Sequence, residues 1–232
     1  MLGFDATVPP GVVRSGIQDP DDDDPRCPQA IHGHVATKGD RVKLFFVRHG
    51  EPDWDLVEMR GARGWAKDFA PLTPLGRLQI DTIANDFRLQ EADAILCSTF
   101  TRALESGALL SRALNKPLFV EYDLHEWLPQ KDPLADVDET LLERASHTLA
   151  GEPGDDAETP WESLEDVRER VLKVLNRYRR FERLVVVTHG VVIGSLVGMR
   201  RLVDHAEIVP FEIDLDRPGP GPTADEHKLP AN

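Results

Sequence analysis

Two apolar runs of this chain end in the same dipeptide, His-Gly. The runs Leu44–Val47 and Leu184–Val187 are short and rich in branched or aromatic residues, which is typical of buried β-strands. The first continues into Arg48-His49-Gly50-Glu51 and the second into Thr188-His189-Gly190. Open α/β sheets place their ligands at the carboxyl ends of strands, so the two strands can bring both imidazoles together at one sheet edge. An arginine and a histidine buried there without partners would cost several kcal/mol, and the pattern therefore predicts a site for an anion.

Strand-like and helix-like segments alternate through the middle of the chain. The predicted strands are Leu44–Val47, Ala94–Cys97, Leu118–Val120, Leu184–Val187 and Ile208–Leu215. The predicted helices begin at Thr73-Pro74, near Arg102, after Ser163 and near Val191, and a further short helix is predicted near Thr140–Leu149. This alternation predicts a layered α/β domain.

Local signals mark the starts of two of these helices. Thr73 is a favourable cap that precedes a proline at the first helical position. The predicted inner stripe of this helix consists of Ile80, Ile83, Ala84 and Phe87. Ser163 and Asp166 have the spacing of a capping box, which predicts a second helix start.

The ends of the chain differ in composition from its middle. Residues 1–42 are rich in Pro, Gly and Asp and predict a disordered or loosely docked acidic extension. Residues 43–216 form the predicted domain, with a polar insertion at 129–160, and residues 217–232 form a predicted disordered tail. The extension contains His32-Gly33-His34, but no third ligand lies nearby, so we expect no metal site there.

The overall charge and the cysteine count exclude several classes of function. The formal net charge of −14 argues against binding to nucleic acid or to an anionic membrane, although a local basic pocket can still hold a small anion. Cys27 and Cys97 are the only cysteines, and Cys97 lies in an apolar run that predicts a buried, reduced thiol. The sequence has neither a signal-peptide pattern nor an apolar run of transmembrane length, so the cytoplasm is the expected location.

Four polar positions follow predicted strands and are candidates for the anion site. They are Arg48-His49, Arg102, Glu126 and His189. Arg102 opens a predicted helix, whose free N–H groups and positive dipole end favour anions. Arginine presents a charged fork of donors that suits phosphate oxygens. Two alternatives remain open, because Arg102 can also pair with Glu105 within its own helix, and Glu126 can be a solvated loop carboxylate.

At these positions the chain resembles the histidine phosphatase superfamily, also called the phosphoglycerate mutase-like family. The matching stretches, in the order of the family, are Arg48-His49-Gly50-Glu51, Leu72-Thr73-Pro74-Leu75-Gly76, Ser98 to Ala103, Leu124-His125-Glu126 and Val187-Thr188-His189-Gly190. The resemblance implies a three-layer α/β/α sandwich around a mostly parallel central sheet.

The resemblance also implies a phosphatase mechanism and a role for each candidate residue. His49 would be the nucleophile and would form a transient phosphohistidine, while Arg48, Arg102 and His189 would hold the phosphoryl group. Glu126 would donate a proton to the leaving alcohol and then activate water, which requires a raised pKa. No metal or cofactor is required. The expected substrate is a phosphorylated small molecule or a phosphoprotein.

The chain departs from the family pattern at two places. Where the family commonly has an asparagine, this chain has Asp55, which we expect to turn away from phosphate or to pair with Arg60 or Arg63. These three residues are candidates for substrate contact, and a surface position is an equal alternative for the two arginines. Glu126 is followed by Trp127-Leu128-Pro129 rather than by the glycine-containing turn common in the family.

Two other functions are compatible with the same motifs. A phosphoglycerate mutase needs basic residues for a second anionic group, yet residues 131–166 carry twelve Asp and Glu against one Lys and one Arg. The Asn-Glu-Arg-His-Tyr-Gly-type segment of the mutases is also absent after Leu124. A non-catalytic scaffold that binds a phosphorylated partner usually loses the nucleophile or an arginine, and this chain keeps both. The sequence therefore favours a phosphatase, and it leaves the oligomeric state open.

Overall fold

A computed structural model describes residues 41–131, 140, 144–145, 160–198 and 203–222 of the chain. A five-stranded sheet lies at its centre. The strands are β1 (Arg41–Arg48), β2 (Ala94–Ser98), β3 (Leu118–Glu121), β4 (Arg183–Thr188) and β5 (Ile208–Asp214). Their order across the sheet is β3-β2-β4-β1-β5, and only β5 runs antiparallel to its neighbour. The mostly parallel sheet predicted from the sequence is confirmed.

Helices cover both faces of the sheet. They are α1 (Trp54–Met59), α2 (Pro74–Ile83), α3 (Phe87–Gln90), α4 (Thr101–Leu114), α5 (Leu164–Arg177) and α6 (Gly190–Val197), together with short 3₁₀ helices at Gly64–Phe69 and Tyr122–Leu124. α2 and α4 pack on one face, and α5 and α6 pack on the other. The predicted three-layer α/β/α arrangement is therefore confirmed.

Alternate residues of the central strands fill two separate cores. Leu44 and Phe46 of β1 belong to the core beneath α5, whereas Val47 belongs to the core beneath α2 and α4. Val185 and Val186 of β4 divide between the cores in the same way. All five side chains are fully buried. Strands buried on both faces need continuous apolar runs, and these runs made it possible to predict the strands from the sequence.

Both predicted helix starts are confirmed by their hydrogen bonds. The Thr73 hydroxyl accepts from the Gly76 amide across 2.9 Å, at the start of α2. At the start of α5, the Ser163 hydroxyl accepts from the Asp166 amide, and the Asp166 carboxylate accepts from the Ser163 amide. These bonds satisfy amides that the helices themselves leave unpaired.

The inner stripe predicted for α2 is wrong at Phe87. α2 ends at Ile83, and Asp86 then caps the separate helix α3 by accepting from the Arg88 amide across 2.9 Å. The break rotates the chain, and Phe87 is 70% exposed. The predicted apolar period continued to Phe87, but the cap formed by Asp86 ends the first helix about one turn before that residue.

Other boundaries also shift. β1 begins at Arg41, inside the segment assigned to the N-terminal extension, and the sequence did not predict the short helix α1. The rest of the extension, with His32-Gly33-His34, lies outside the described residues, as do residues 132–139, 146–159 and 223–232. Of the helix predicted near Thr140–Leu149, only positions 140, 144 and 145 are described, and they are helical.

Two sequence expectations about the interior and the membrane can be compared with the described residues. Cys97 is a free, buried thiol, as predicted, and burial raises its pKa to about 12. In the part of the chain that the structure describes, no helix has the length and apolar character needed to cross a membrane.

Candidate active site

The carboxyl ends of β1 and β4 place two histidines side by side. Arg48 and Thr188 are paired as the last residues of their strands, so His49 and His189 leave the sheet at the same level. The His49 amide donates to the Thr188 carbonyl across 3.0 Å. The two imidazole centroids are 5.1 Å apart, in an edge-on arrangement. The sheet register therefore brings together the imidazoles of the two His-Gly motifs.

Hydrogen bonds define the tautomer of His49. Its Nδ1 lies 2.8 Å from the carbonyl oxygen of Gly50, which can only accept, so Nδ1 carries the proton. Its Nε2 accepts from Nε of Arg102 across 3.2 Å. Burial lowers the pKa of His49 well below its usual value, and the charge of Arg102 lowers it further. His49 is therefore a neutral imidazole with a lone pair on Nε2.

Arg102, at the start of α4, joins the nucleophile candidate to a carboxylate. Besides its bond to His49, the guanidinium donates from Nη1 to Oδ1 of Asp68 across 2.9 Å. Its central carbon lies 5.1 Å from the ring centroids of both Trp54 and Phe100. Contacts of this kind hold a guanidinium plane in one orientation.

The alternative partner for Arg102, Glu105, is engaged elsewhere. Its Oε1 accepts from Arg77 across 2.6 Å, and its Oε2 accepts from the Leu72 amide across 2.8 Å. Glu105 therefore ties α4 to the start of α2 and does not neutralise Arg102.

Two buried nitrogens of the site are without hydrogen-bond partners among the described residues. They are Nε of Arg48 and Nδ1 of His189. A neighbouring nitrogen of each side chain is bonded, since Nη1 of Arg48 donates to the Val203 carbonyl across 2.5 Å, and Nε2 of His189 lies 2.8 Å from Oγ of Ser98. Buried polar atoms are rarely left unpaired, so the two nitrogens mark a position for a polar ligand.

Burial also lowers the pKa values of His189 and Arg48. His189 is fully buried, and burial is the main reason that its pKa lies well below the usual value. The neighbouring His49 and Arg102 lower the pKa of His189 further. Burial lowers the pKa of Arg48 as well. The site thus combines two neutral imidazoles with two guanidinium groups.

Glu126 lies on the irregular chain that follows the 3₁₀ helix after β3. Its Oε1 accepts from the Trp127 amide across 2.9 Å. Burial raises the pKa of the Glu126 carboxyl, while hydrogen bonds from the Trp127 and Val191 amides and the charges of Arg102 and Arg48 lower it in part. Glu126 is therefore a partly buried carboxyl close to the arginines, and not the solvated loop carboxylate that was the alternative.

The sequence analysis missed His205, whose ring centroid is 5.5 Å from that of His49. β5 runs antiparallel to β1, so its beginning lies at the same edge as the carboxyl ends of the parallel strands. The amide of Ala206 donates to the carbonyls of both Arg48 and His49. The sequence signal for His205 was its place among polar residues directly before β5, the antiparallel edge strand.

Asp68, Ser98, Ser106 and His125 were also missed as site residues. Ser106 bonds the loop after His49 directly, because its hydroxyl accepts from the Gly50 amide across 3.1 Å and donates to the Arg102 carbonyl. Ser98 is the last residue of β2, so it had the same strand-end signal as Arg48. Asp68 lies on a connecting segment, where the sequence carries no comparable signal, whereas His125 directly precedes Glu126 in a stretch that matches the family.

A close backbone contact fixes the loop after His49. A Cβ added to Gly50 would lie 2.4 Å from the carbonyl oxygen of Gly76, and one added to Gly76 would lie 2.3 Å from that of Glu51. The Thr73 hydroxyl donates to the Glu51 carboxylate across 2.8 Å in the same region. The start of α2 therefore packs directly against the backbone of the loop after His49.

Asp55, Arg60 and Arg63 have exposed side chains. Within the described residues, Asp55 makes no ion pair with Arg60 or Arg63, and it lies in the first turn of α1. Their contact with substrate stays a prediction. No group of three or more His, Cys, Asp or Glu in the described part of the chain is arranged to hold a metal ion.

A comparison with protein-family models identifies the family. The model of the histidine phosphatase superfamily, branch 1, matches residues 44–215, which include every strand-end residue of the site. The chain belongs to the histidine phosphatase superfamily.

Solved structures share the fold of this histidine phosphatase superfamily member. A mycobacterial glucosyl-3-phosphoglycerate phosphatase is 18% identical with a TM-score of 0.57, and the match covers 76% of this chain and 94% of that one. The α-ribazole phosphatase from Shigella flexneri is 23% identical with a TM-score of 0.52, over 74% and 91% of the two chains. A phosphoglycerate mutase from Bacillus anthracis is 18% identical with a TM-score of 0.54, over 77% and 90%. A comparison with curated protein sequences gives no match.

Proposed function

We propose that the protein is a phosphomonoester hydrolase that works through a phosphohistidine on His49. The observation that carries this proposal is the neutral imidazole of His49, whose Nε2 lone pair meets Arg102. In the first step Nε2 attacks phosphorus, the bond to the leaving oxygen breaks, and that oxygen takes a proton from Glu126. In the second step Glu126 takes a proton from water as the water oxygen attacks phosphorus. The bond between phosphorus and Nε2 breaks, phosphate leaves, and His49 is again a neutral imidazole.

Arg48, Arg102 and His189 would hold the phosphoryl group during both steps. The unpaired Nε of Arg48 and Nδ1 of His189 are nitrogens that phosphate oxygens can satisfy. An arriving phosphate dianion favours the charged form of a neighbouring imidazole, so it would oppose the effect of burial on His189. His189 can then act as a cationic donor to the transferred group.

Glu126 is suited to the acid role because burial raises its pKa. A carboxyl that remains protonated closer to neutral pH can supply the proton that an alkoxide leaving group needs. The amides of Trp127 and Val191 then stabilise the carboxylate that acts as base in the second step.

The proposed substrate is a phosphorylated small molecule or a phosphoprotein. The names of two structural relatives, a glucosyl-3-phosphoglycerate phosphatase and an α-ribazole phosphatase, support hydrolysis of phosphomonoesters. We infer that neither a metal nor another cofactor takes part and that the protein acts in the cytoplasm, without nucleic acid or membrane partners.

A phosphoglycerate mutase reaction is the second candidate, because a relative of the same fold has that name. Such an enzyme must hold a second anionic group and return the phosphoryl group to a hydroxyl. The twelve acidic residues between 131 and 166 disfavour a substrate with several negative charges. A mutase would convert 3-phosphoglycerate without stoichiometric release of phosphate, whereas a hydrolase releases phosphate in each turnover.

The decisive experiment is hydrolysis of p-nitrophenyl phosphate with excess chelator present. We expect activity that survives the chelator, is inhibited by vanadate and is lost in His49→Ala. His227→Ala is the control, because His227 lies beyond the residues that match the family. Rapid quenching should trap acid-labile phosphate on His49, and activity that persists in His49→Ala would refute the nucleophile.

A further inference from the structure

A buried ion pair lies beneath the segment that carries Glu126. Arg170 of α5 donates from Nε to Oε1 of Glu162 across 2.9 Å and from Nη2 to Oε2 across 3.1 Å. The side chains are only 12% and 10% exposed. The function proposed above assigns no role to either residue.

Arg170 also binds the backbone at two points, one within the 3₁₀ helix that leads to Glu126 and one at Glu126 itself. Its Nη1 donates to the Asp123 carbonyl across 2.5 Å, and its Nη2 reaches the Glu126 carbonyl across 3.3 Å. Arginine can make all these bonds at once because its five N–H groups form a rigid, planar fork.

Glu162 binds the same segment from its other end. Its Oε2 accepts from the Leu128 amide across 2.9 Å, and its own amide donates to the Leu128 carbonyl. Its carbonyl accepts from the indole of Trp127 across 2.7 Å. The ion pair therefore holds residues 123–128 at both ends, with Glu126 between them.

We propose that Arg170 and Glu162 are positioning residues that aim the Glu126 carboxyl at the leaving oxygen, an inference that rests on the phosphatase function proposed above. Residues 125–130 form neither helix nor strand, so the position of Glu126 depends on bonds from outside the segment. Without the fork of Arg170, the Glu126 carbonyl loses a bond to α5, and the backbone that carries the carboxyl is held less firmly.

The test uses the dependence of the rate on the leaving group. p-Nitrophenol leaves readily without protonation, whereas an alkoxide needs the proton that Glu126 supplies. Glu126→Gln should lower kcat/KM for glycerol 2-phosphate by about 100-fold and that for p-nitrophenyl phosphate much less. Arg170→Met should have the same selective effect, with a loss of about tenfold for glycerol 2-phosphate and less than about threefold for p-nitrophenyl phosphate.

Arg168→Met is the matched control on the same helix. Arg168 is similarly buried, pairs with Glu165 and donates to the Pro218 and Gly219 carbonyls, away from the Glu126 segment. We expect it to change the two kcat/KM values by the same factor or not at all. Because breaking a buried ion pair can unfold a protein, Glu162→Gln provides a milder variant in which the same selective loss is expected.

Each outcome decides a different claim. Suppose that Glu126→Gln selectively lowers kcat/KM for glycerol 2-phosphate, while the folded Arg170→Met and Glu162→Gln variants lose kcat/KM equally on both substrates or lose none. The positioning role is then wrong, and the proposed function stands. If wild-type protein hydrolyses neither ester, or Glu126→Gln is not selective, the proposed function or its acid fails, and the positioning role fails with it.

Discussion

Asp68 accepts a hydrogen bond from Arg102 across 2.9 Å, while the same guanidinium donates to Nε2 of His49. A carboxylate thus occupies donors that the proposed mechanism gives to phosphate. Burial raises the pKa of Asp68, and the bond to Arg102 lowers it in part. Asp68 and an incoming phosphoryl group therefore compete for one arginine.

This competition predicts tighter phosphate binding in Asp68→Asn. Removing the negative charge should lower the inhibition constant of inorganic phosphate by about threefold to tenfold, because partly exposed ion pairs contribute about 1 kcal/mol. The constant is measured by competition with p-nitrophenyl phosphate. Glu58→Gln, which removes a charge of a 62% exposed side chain on α1, is the control and should change little. Weaker inhibition in Asp68→Asn would mean that Asp68 orients Arg102 instead.

The pKa directions predict an activity maximum on the acid side of neutrality. His49 must be neutral to attack, and because its pKa is lowered, activity is retained below the usual pKa of histidine and falls only at lower pH. Glu126 must be protonated to act as acid, so activity falls as the pH rises through its raised pKa. The maximum of kcat/KM should therefore lie below about pH 6.5.

The Glu126→Gln variant separates the two limbs of this profile. Its residual activity on glycerol 2-phosphate, whose leaving group needs the proton, should keep the acid limb and lose the fall that Glu126 causes on the alkaline side. A wild-type maximum above about pH 6.5 would contradict the assignment of Glu126 as the acid.

The close approach of Gly50 and Gly76 predicts a loss of stability on adding a methyl group. A Cβ at Gly50 would lie 2.4 Å from a backbone oxygen, which no rotamer change can relieve. Gly50→Ala should reduce the free energy of unfolding by about 1–3 kcal/mol, measured by urea denaturation. In Gly190→Ala the new Cβ would meet its nearest atom at 3.8 Å, so the change should stay within about 1 kcal/mol. Equal effects would exclude the steric explanation.

The acidic stretch between residues 131 and 166 predicts a preference among substrates. Its field should favour phosphomonoesters whose leaving groups are neutral or cationic over those with further negative charges. A panel of phosphorylated metabolites and phosphopeptides, ranked by kcat/KM at low ionic strength, measures this preference. Sugar bisphosphates at the top of the ranking would contradict it, and added salt should weaken any preference of electrostatic origin.

The sequence could predict the part of the site that the sheet itself positions. Arg48, His49 and His189 directly end or follow buried parallel strands, so strand recognition and topology suffice to bring them together. Thr73 and Ser163 were predictable for a similar reason, because a cap acts within one helical turn.

The remaining site residues depend on contacts between distant segments. Asp68 reaches Arg102 from a 3₁₀ helix within a connection, and no periodic pattern fixes the path of such a segment. His205 was missed because its position depends on the antiparallel direction of β5, which was not inferred. At Phe87, the cap formed by Asp86 outweighed the apolar period.

The position of β1 in the sheet has a consequence for the newly made chain. β1 is the first described strand, yet both of its partners, β4 and β5, begin only at residues 183 and 208. During synthesis its apolar residues leave the ribosome long before either partner strand exists, and such long-range pairing forms slowly. The nascent protein therefore carries an unpaired strand through most of translation. His49 meets the rings of His189 and His205 only when the last quarter of the chain docks, so in the proposed mechanism activity begins with that late folding step.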